Sequence, residues 1–497
     1  MNSLSSLYRP SLALLTDLYQ LTMAHAHWKT GSHRKEAVFH LYFRNNPFGG
    51  GFTVACGLAR AKEFISDFRF ADDDLTYLRT LTGQDGSRLF DEGFLEYLRE
   101  LKLECDIDAV DEGRIVFPST PLLRVRGPII AAQLLETPLL NIINFETLIA
   151  TKAARISIAA KGEPVMEFGL RRAQGIDGSL AASRAAYIGG CSATSNVLAG
   201  KLFGIPVKGT HSHSWVMAFG SELESFEQFA QASPGNCVFL VDTFHSIDGV
   251  AHAIEVGRQL AKSGHRLGGI RLDSGDLAYL SIEARRMLDD AGFKDAAIVA
   301  SNELDEHIIT SLREQGARVS VWGVGTRLIT GHDQAAMGCV YKLSAVKDPG
   351  GPWKARMKLS EQAAKVSNPG IQQIRRYSTS TEFAGDMMWH EEPGATSSPS
   401  SLMIDPLDMT RRRSFPASLA WEDLLKPIFR NGSSVSAAET LLDARARVAE
   451  DLAKLHGGIK RFVNPHVYAV GLEESLFKMR SDLMLRLRNM PQDGLFD

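Results

Sequence analysis

Residues 209–214 read Gly-Thr-His-Ser-His-Ser, so His211 and His213 stand one residue apart among hydroxyls and a glycine. Imidazoles titrate near neutrality, and such a pair can bind a metal ion or supply a nucleophile. A metal would need a third ligand, which His245 in Asp-Thr-Phe-His-Ser (242–246) can offer; helix-capping or surface histidines account for the pattern equally well. Residues 270–276, Ile-Arg-Leu-Asp-Ser-Gly-Asp, set one cation and two carboxylates about a glycine turn. Arg271 offers a planar fork for a carboxylate or phosphate. Asp273 and Asp276 can hold ribose hydroxyls or the Mg²⁺ that accompanies a pyrophosphate. The competing reading has Asp273 capping the next helix and pairing with Arg271. Strand alternation puts Arg271 and Asp273 on one side. In Trp-Gly-Val-Gly-Thr (322–326), backbone amides can cradle phosphate oxygens if a helix begins there.

Positioning these groups requires repeated elements. From about Val165 onward, short apolar runs alternate with segments of helical period, the rhythm of βα units. Strands are predicted at 165–168, 206–208, 237–241, 269–272, 296–300 and 319–321. Helical segments are predicted at 179–202, from 208 to about 232, and at 247–262, 277–291 and 304–315. The fold class is therefore α/β, with six parallel strands in a barrel or open sheet. In a parallel barrel the loops after the strands share one mouth. Here those loops read GLRR, GTHSHS, DTFHS, DSGD, SNE and WGVGT, so they can converge on one site. Each loop alone is also ordinary turn and cap chemistry.

The flanks read differently. Residues 1–150 hold aromatic-rich helices and a β-prone piece at 115–125 resembling an extended hairpin. The stretch 341–427 is rich in Gly, Pro, Ser and short β-like runs, and 437–455 has the period of a solvated packing helix. The expected organisation is a mixed α/β domain at 1–150, completed by part of 345–430, a barrel domain at 151–344, and a β-rich segment with a helical tail at 345–497.

With 497 residues, a large core and two or three packed units are expected. The 44% hydrophobic and 23% charged content is that of a globular protein, and a formal net charge of −3 carries no footprint for nucleic acid or an anionic membrane. Five scattered cysteines without CxxC spacing argue against a disulfide framework or zinc site and fit a reducing compartment. Asp17 interrupts the apolar patch at 12–15, so no signal peptide is expected. Polar residues interrupt 129–150, which reads as packed helix and not as a membrane span. A cytoplasmic protein with a metabolite partner is expected.

Taken together, Thr-Asp-Leu-Tyr-Gln-Leu-Thr-Met-Ala (16–24), Glu-Phe-Gly-Leu-Arg-Arg-Ala-Gln-Gly (167–175), the run 194–214, RLDSGD, VASNELDE (299–306), WGVGTRLIT (322–330), VYKL (340–343) and RMKLSE (356–361) resemble the nicotinate phosphoribosyltransferase family. The resemblance spans roughly residues 10 to 370. It implies a type II phosphoribosyltransferase with an irregular α/β barrel, a second α/β domain, and a homodimer with shared sites. It also implies ATP as co-substrate, Mg²⁺ carried by pyrophosphate, and a His213 phosphorylated by ATP. Tyr19 would reach from the neighbouring subunit to stack on the pyridine ring of nicotinate, with Phe168 on the opposite face. Thr210 and Arg271 match nicotinate contacts, and Thr326 matches a contact to phosphoribosyl pyrophosphate. Asp273, Gly323 and Gly325 correspond to further walls of that pocket, and Arg171 to a phosphate or substrate contact. His211 stands where the family usually has a non-histidine residue and receives no catalytic role.

Three other readings compete: a nicotinamide or quinolinate enzyme on the same barrel, a metal-dependent hydrolase using His211, His213 and His245, and a silent paralogue that binds without turnover.

Overall fold

The computed structural model describes residues 12–362, 365–391 and 399–489. Parts of the expected 345–497 segment lie outside these. The chain divides into two compact units, one of residues 148–335 and one assembled from residues up to 147 and from 336 onward.

The 148–335 unit is built on six strands: β1 (Val165–Glu167), β2 (Ala193–Thr194), β3 (Val238–Leu240), β4 (Gly269–Leu272), β5 (Ala297–Ser301) and β6 (Val321–Val324). They pair in the order β2-β1-β6-β5-β4-β3, every ladder parallel. Parallel strands are covered on both faces and so read as apolar runs; Ile270, Leu272, Ile298 and Ala300 are buried accordingly. Helices follow the strands, including Ser246–Lys262, Leu277–Asp290 and Glu306–Glu314. The α/β fold class expected from the sequence is what the chain adopts.

Two local expectations are corrected. No strand forms at 206–208; Val207 makes only an isolated bridge to Thr194. The strand lies instead at Ala193–Thr194, inside a stretch read as helix. Helix Ile176–Ile188 stops because Gly189 caps it and Gly190 turns at φ 126°, and Asn196 then caps the next helix through the Ala199 amide. The last strand is Val321–Val324 and not 319–321, which places Gly323 within the sheet.

In the other unit, a seven-stranded sheet pairs Glu36–Phe43 antiparallel with both Cys339–Lys347 and Leu123–Pro128. A six-stranded sheet is centred on Phe383–His390, Gln372–Ser378 and Val470–Glu473. The 115–125 piece is not a hairpin: Ile115–Val116 pairs with Thr53–Val54, whereas Leu123–Pro128 joins the larger sheet. Arg376 is buried here, its fork on both oxygens of Asp386 at 2.8 and 2.6 Å, with Asp451 at 3.5 Å. The 129–150 stretch forms helices Ile129–Leu134 and Glu136–Ala160, and no helix among the described residues is long and apolar enough to cross a membrane.

Candidate active site

The carboxyl ends of β1, β4, β5 and β6 converge on Arg271. Being the third residue of β4, it projects from the strand alongside Asp273, as alternation requires. Its Nε donates to the Ser301 hydroxyl at 2.8 Å, Nη1 to Thr210 Oγ1 at 3.1 Å and Nη2 to Asp273 Oδ1 at 2.9 Å. The guanidinium carbon lies 5.8 Å from the centre of the Phe168 ring. Phe168 continues β1, its amide donating to Val324 O at 2.8 Å. Gly323 makes room for that ring, because a Cβ there would lie 2.8 Å from one ring carbon.

Asp273 is half-buried. Burial alone would raise its carboxyl, but the Ser301 hydroxyl, the Arg271 cation and His213 together hold it below the usual carboxylate range. Its backbone amide donates to Asp242 Oδ2 at 2.8 Å, and the Ser274 hydroxyl donates to the same oxygen at 2.6 Å.

The two histidines have opposite surroundings. His213 opens the short helix His213–Met217; its Nδ1 lies 3.1 Å from Thr243 Oγ1, its Nε2 lies 3.7 Å from Asp273 Oδ2, and its side chain is 39% exposed. His211 is buried among Phe226, Phe229 and Phe239. Its Nε2 accepts the Leu240 amide at 3.2 Å, which leaves the ring proton on Nδ1, toward Ser212 O. Burial, with smaller contributions from Arg271 and His213, lowers its pKa to about 4, so it is a neutral core residue at physiological pH. His245 is exposed and pairs with Asp248 at 3.2 Å. Among the described residues, the groups with metal-ligand spacing are Cys56, Glu112, Glu146 and Asp305, His332, Asp333. Neither contains His211, His213 or His245, so the proposed three-histidine metal centre is not assembled.

The other expected site residues are more dispersed. Thr326 donates to Glu303 Oε1 at 3.2 Å, and Gly325 precedes a four-residue helix, Thr326–Ile329. Arg171 is exposed on the turn Leu170–Arg172. Asp276 caps helix Leu277–Asp290, its Oδ1 accepting the Ala278 and Tyr279 amides at 3.1 and 3.0 Å; the capping role fits this residue, and not Asp273. Tyr19 belongs to the other unit, on helix Leu18–Lys29, and is 47% exposed.

Sequence reasoning did not single out Asp242, Thr243, Ser301 or Glu167. Buried Glu167 takes the Ser183 hydroxyl at 2.8 Å, the Thr194 hydroxyl at 2.5 Å and the Gly169 amide, and so anchors the end of β1 next to Phe168. A polar residue closing an apolar run was the available signal for Asp242 and Ser301.

A parallel sheet that gathers a guanidinium, a carboxylate, hydroxyls and an accessible imidazole at the carboxyl ends of its strands defines an α/β enzyme with a loop-built site. Known proteins narrow this. Residues 14–144 match the model of the nicotinate phosphoribosyltransferase (NAPRTase) N-terminal domain, 164–351 that of the NAPRTase family, and 372–480 that of the C-terminal domain. The nicotinate phosphoribosyltransferase of Bacillus subtilis is 41% identical over 490 residues, covering 98% of each chain. The crystal structure of human nicotinic acid phosphoribosyltransferase superposes with a TM-score of 0.81 at 32% identity, over 94% of this chain and 99% of that one. A nicotinate-nucleotide pyrophosphorylase from Pyrococcus furiosus, with a TM-score of 0.67 at 23% identity over 91% of this chain and 97% of that one, shares the fold. The chain belongs to the nicotinate phosphoribosyltransferase family, pentosyltransferases of NAD biosynthesis.

Proposed function

We propose that the chain converts nicotinate, phosphoribosyl pyrophosphate, ATP and water into nicotinate mononucleotide, pyrophosphate, ADP and phosphate, in cytoplasmic salvage of nicotinic acid. The observation that carries this reading is the Arg271 fork facing Phe168, with His213 and Arg271 flanking the same Asp273 carboxylate. A flat, electron-poor ring bearing a carboxylate suits an aromatic face beside a guanidinium. Nicotinamide brings no second anion beside Asp273, and its NH₂ would set a donor against an arginine N–H.

In the proposed reaction the pyridine nitrogen attacks ribose C1 as pyrophosphate departs. Positive character develops at the sugar, and the Asp273 carboxylate, held ionised by its neighbours, is placed to stabilise it. A Mg²⁺ ion bound with the pyrophosphate would neutralise charge on the leaving group. For holding that ion, Asp273 and Asp242 fit better than Asp276: Asp242 Oδ1 is buried without a hydrogen bond, whereas the Asp276 oxygen is engaged as a helix cap. Thr326, Gly323, Gly325 and Arg171 are assigned to the phosphoribosyl side. His213 is the residue we assign to phosphorylation by ATP. Its ring is oriented by Thr243 and accessible, and a phosphate there adds roughly two negative charges beside Asp273.

We assign the assembly to a homodimer. Leu15, Leu18, Tyr19 and Met23 are exposed in and beside one helix, an apolar face suited to a second copy that brings Tyr19 to its neighbour's pyridine.

The test is incubation with nicotinate, phosphoribosyl pyrophosphate, Mg²⁺ and γ-labelled ATP, beside His213→Ala and with nicotinamide and quinolinate in parallel. Acid-labile label on the wild type alone and ATP-stimulated nicotinate mononucleotide are expected. Label persisting in His213→Ala overturns that assignment, and absence of product under every condition overturns the function.

A further inference from the structure

We infer that Ser301 is a specificity-determining positioning residue, which holds the Arg271 guanidinium so that its two remaining N–H groups face the substrate's carboxylate. The inference rests on the reading of Arg271 as the nicotinate-binding fork.

The ladder explains why this residue meets the site. Val299 pairs with Arg271 and Ala300 with Leu272, so Ser301 falls level with Asp273; on the other side it pairs with Gly323. It is the last residue of β5 and is buried. The chain then leaves the sheet abruptly, through Asn302 at φ 105° and Glu303 at φ 35°. Gly323 carries no side chain, and the position its Cβ would take lies 3.4 Å from Ser301 Cβ. The serine hydroxyl is therefore confined between Arg271 and Asp273.

Donor counting fixes the direction of each bond. Guanidinium is a pure donor with five N–H groups. Its Nε–H must donate to Ser301 Oγ, at 2.8 Å, so the single hydroxyl proton goes elsewhere. The nearer acceptor is Asp273 Oδ1; Leu272 O stands at 3.4 Å. Because Arg271 Nη2 donates to the same Asp273 oxygen at 2.9 Å, the three side chains close a ring. Nη1 donates to Thr210 at 3.1 Å. Three N–H groups are thus used within the protein, leaving one on each terminal nitrogen. Two donors suit the two oxygens of a carboxylate. A carboxamide presents one acceptor and an NH₂, which opposes a donor with a donor. Without the Ser301 hydroxyl, Nε–H has no partner in this ring and the fork can rotate to recruit one, which erodes the distinction between acid and amide.

The experiment is steady-state kinetics of Ser301→Ala and Ser301→Thr with nicotinate and nicotinamide, each also in an Arg271→Ala background, with thermal melts to verify folding. Loss of one hydrogen bond to a charged group predicts roughly a ten- to hundredfold rise in nicotinate KM for Ser301→Ala. A fall of similar size is expected in the nicotinate-to-nicotinamide ratio of kcat/KM. Ser301→Thr keeps the hydroxyl and should restore the ratio to within about twofold. In Arg271→Ala the serine substitution should have no further effect on the ratio, because it acts through the arginine. An unchanged ratio in folded Ser301→Ala, or an equal loss of ratio in the Arg271→Ala background, overturns the inference. If Ser301→Ala does not fold, a folded Ser301→Cys with wild-type preference overturns it equally. Arg271→Ala that itself retains full preference for nicotinate would instead bring down the underlying reading of the fork.

Discussion

His211 makes a pH-dependent contribution to stability that can be worked from its surroundings. Its pKa falls from 6.5 to about 4 because burial among three phenylalanines penalises the charged ring, with Arg271 and His213 adding repulsion. The unfolded chain takes up a proton near pH 6.5, and the folded chain resists until about pH 4. The stability is therefore fully present above 6.5 and is lost as pH falls toward 4. At about 1.4 kcal/mol per unit, the loss reaches roughly 2 kcal/mol at pH 5 and about 3 kcal/mol below pH 4. His40, buried in the other unit with its pKa near 3, titrates in the same direction and would mix into any whole-protein melt. Hydrogen exchange at Leu240, whose amide donates to His211 Nε2, isolates the effect. Between pH 7.5 and 5, with intrinsic rates corrected, the opening free energy of peptides covering β3 should fall by about 2 kcal/mol in the wild type. In His211→Gln, which has no proton to gain, it should stay nearly flat. Parallel pH dependence in the two proteins would refute the argument, even if the variant is less stable throughout.

Other consequences can be checked more briefly. Gly323→Ala places a methyl group 2.8 and 2.9 Å from two Phe168 ring carbons; overpacking of about 1–3 kcal/mol should appear as a raised nicotinate KM in steady-state kinetics. Arg376→Met leaves the buried carboxylates of Asp386 and Asp451 without their shared cation, and calorimetry should show a loss of about 3–5 kcal/mol. Asp276→Ala removes a helix cap worth about 1 kcal/mol and should raise exchange at 277–280 while the Mg²⁺ dependence of turnover stays as in the wild type.

Legibility in the sequence followed the physics of each signal. The alternation of apolar runs with helical segments reports burial directly, so β1, β3, β4 and β5 lie within a residue or two of where they were expected. Ala193–Thr194 was invisible because two residues generate no periodicity, and the preceding run of small residues reads as uninterrupted helix. Arg271 and Asp273 were legible because both lie in one short motif. Asp242 was not, since His245 is the more reactive residue type in the same loop, and only tertiary structure shows His245 turned out to Asp248 while Asp242 receives the Asp273 amide. Ser301 reads as an ordinary turn residue for the same reason: a serine acquires chemical meaning only from its neighbours across the ladder. Residue type alone does not part His211 from His213, which only the family resemblance separates in sequence; in the fold, three phenylalanines make His211 a core residue, two of them from helix Glu222–Ala232 and one from β3.

The pairing of Glu36–Phe43 with Cys339–Lys347 also governs how the polypeptide is born. During synthesis, the early strand can join Leu123–Pro128 soon after that segment emerges, but its second edge must wait until all of residues 148–335 have left the ribosome. The uninterrupted stretch can mature while the split one still exposes an adhesive strand edge. Nascent chains halted just before residue 339 should therefore engage chaperones through that edge, and release them once Cys339–Lys347 arrives.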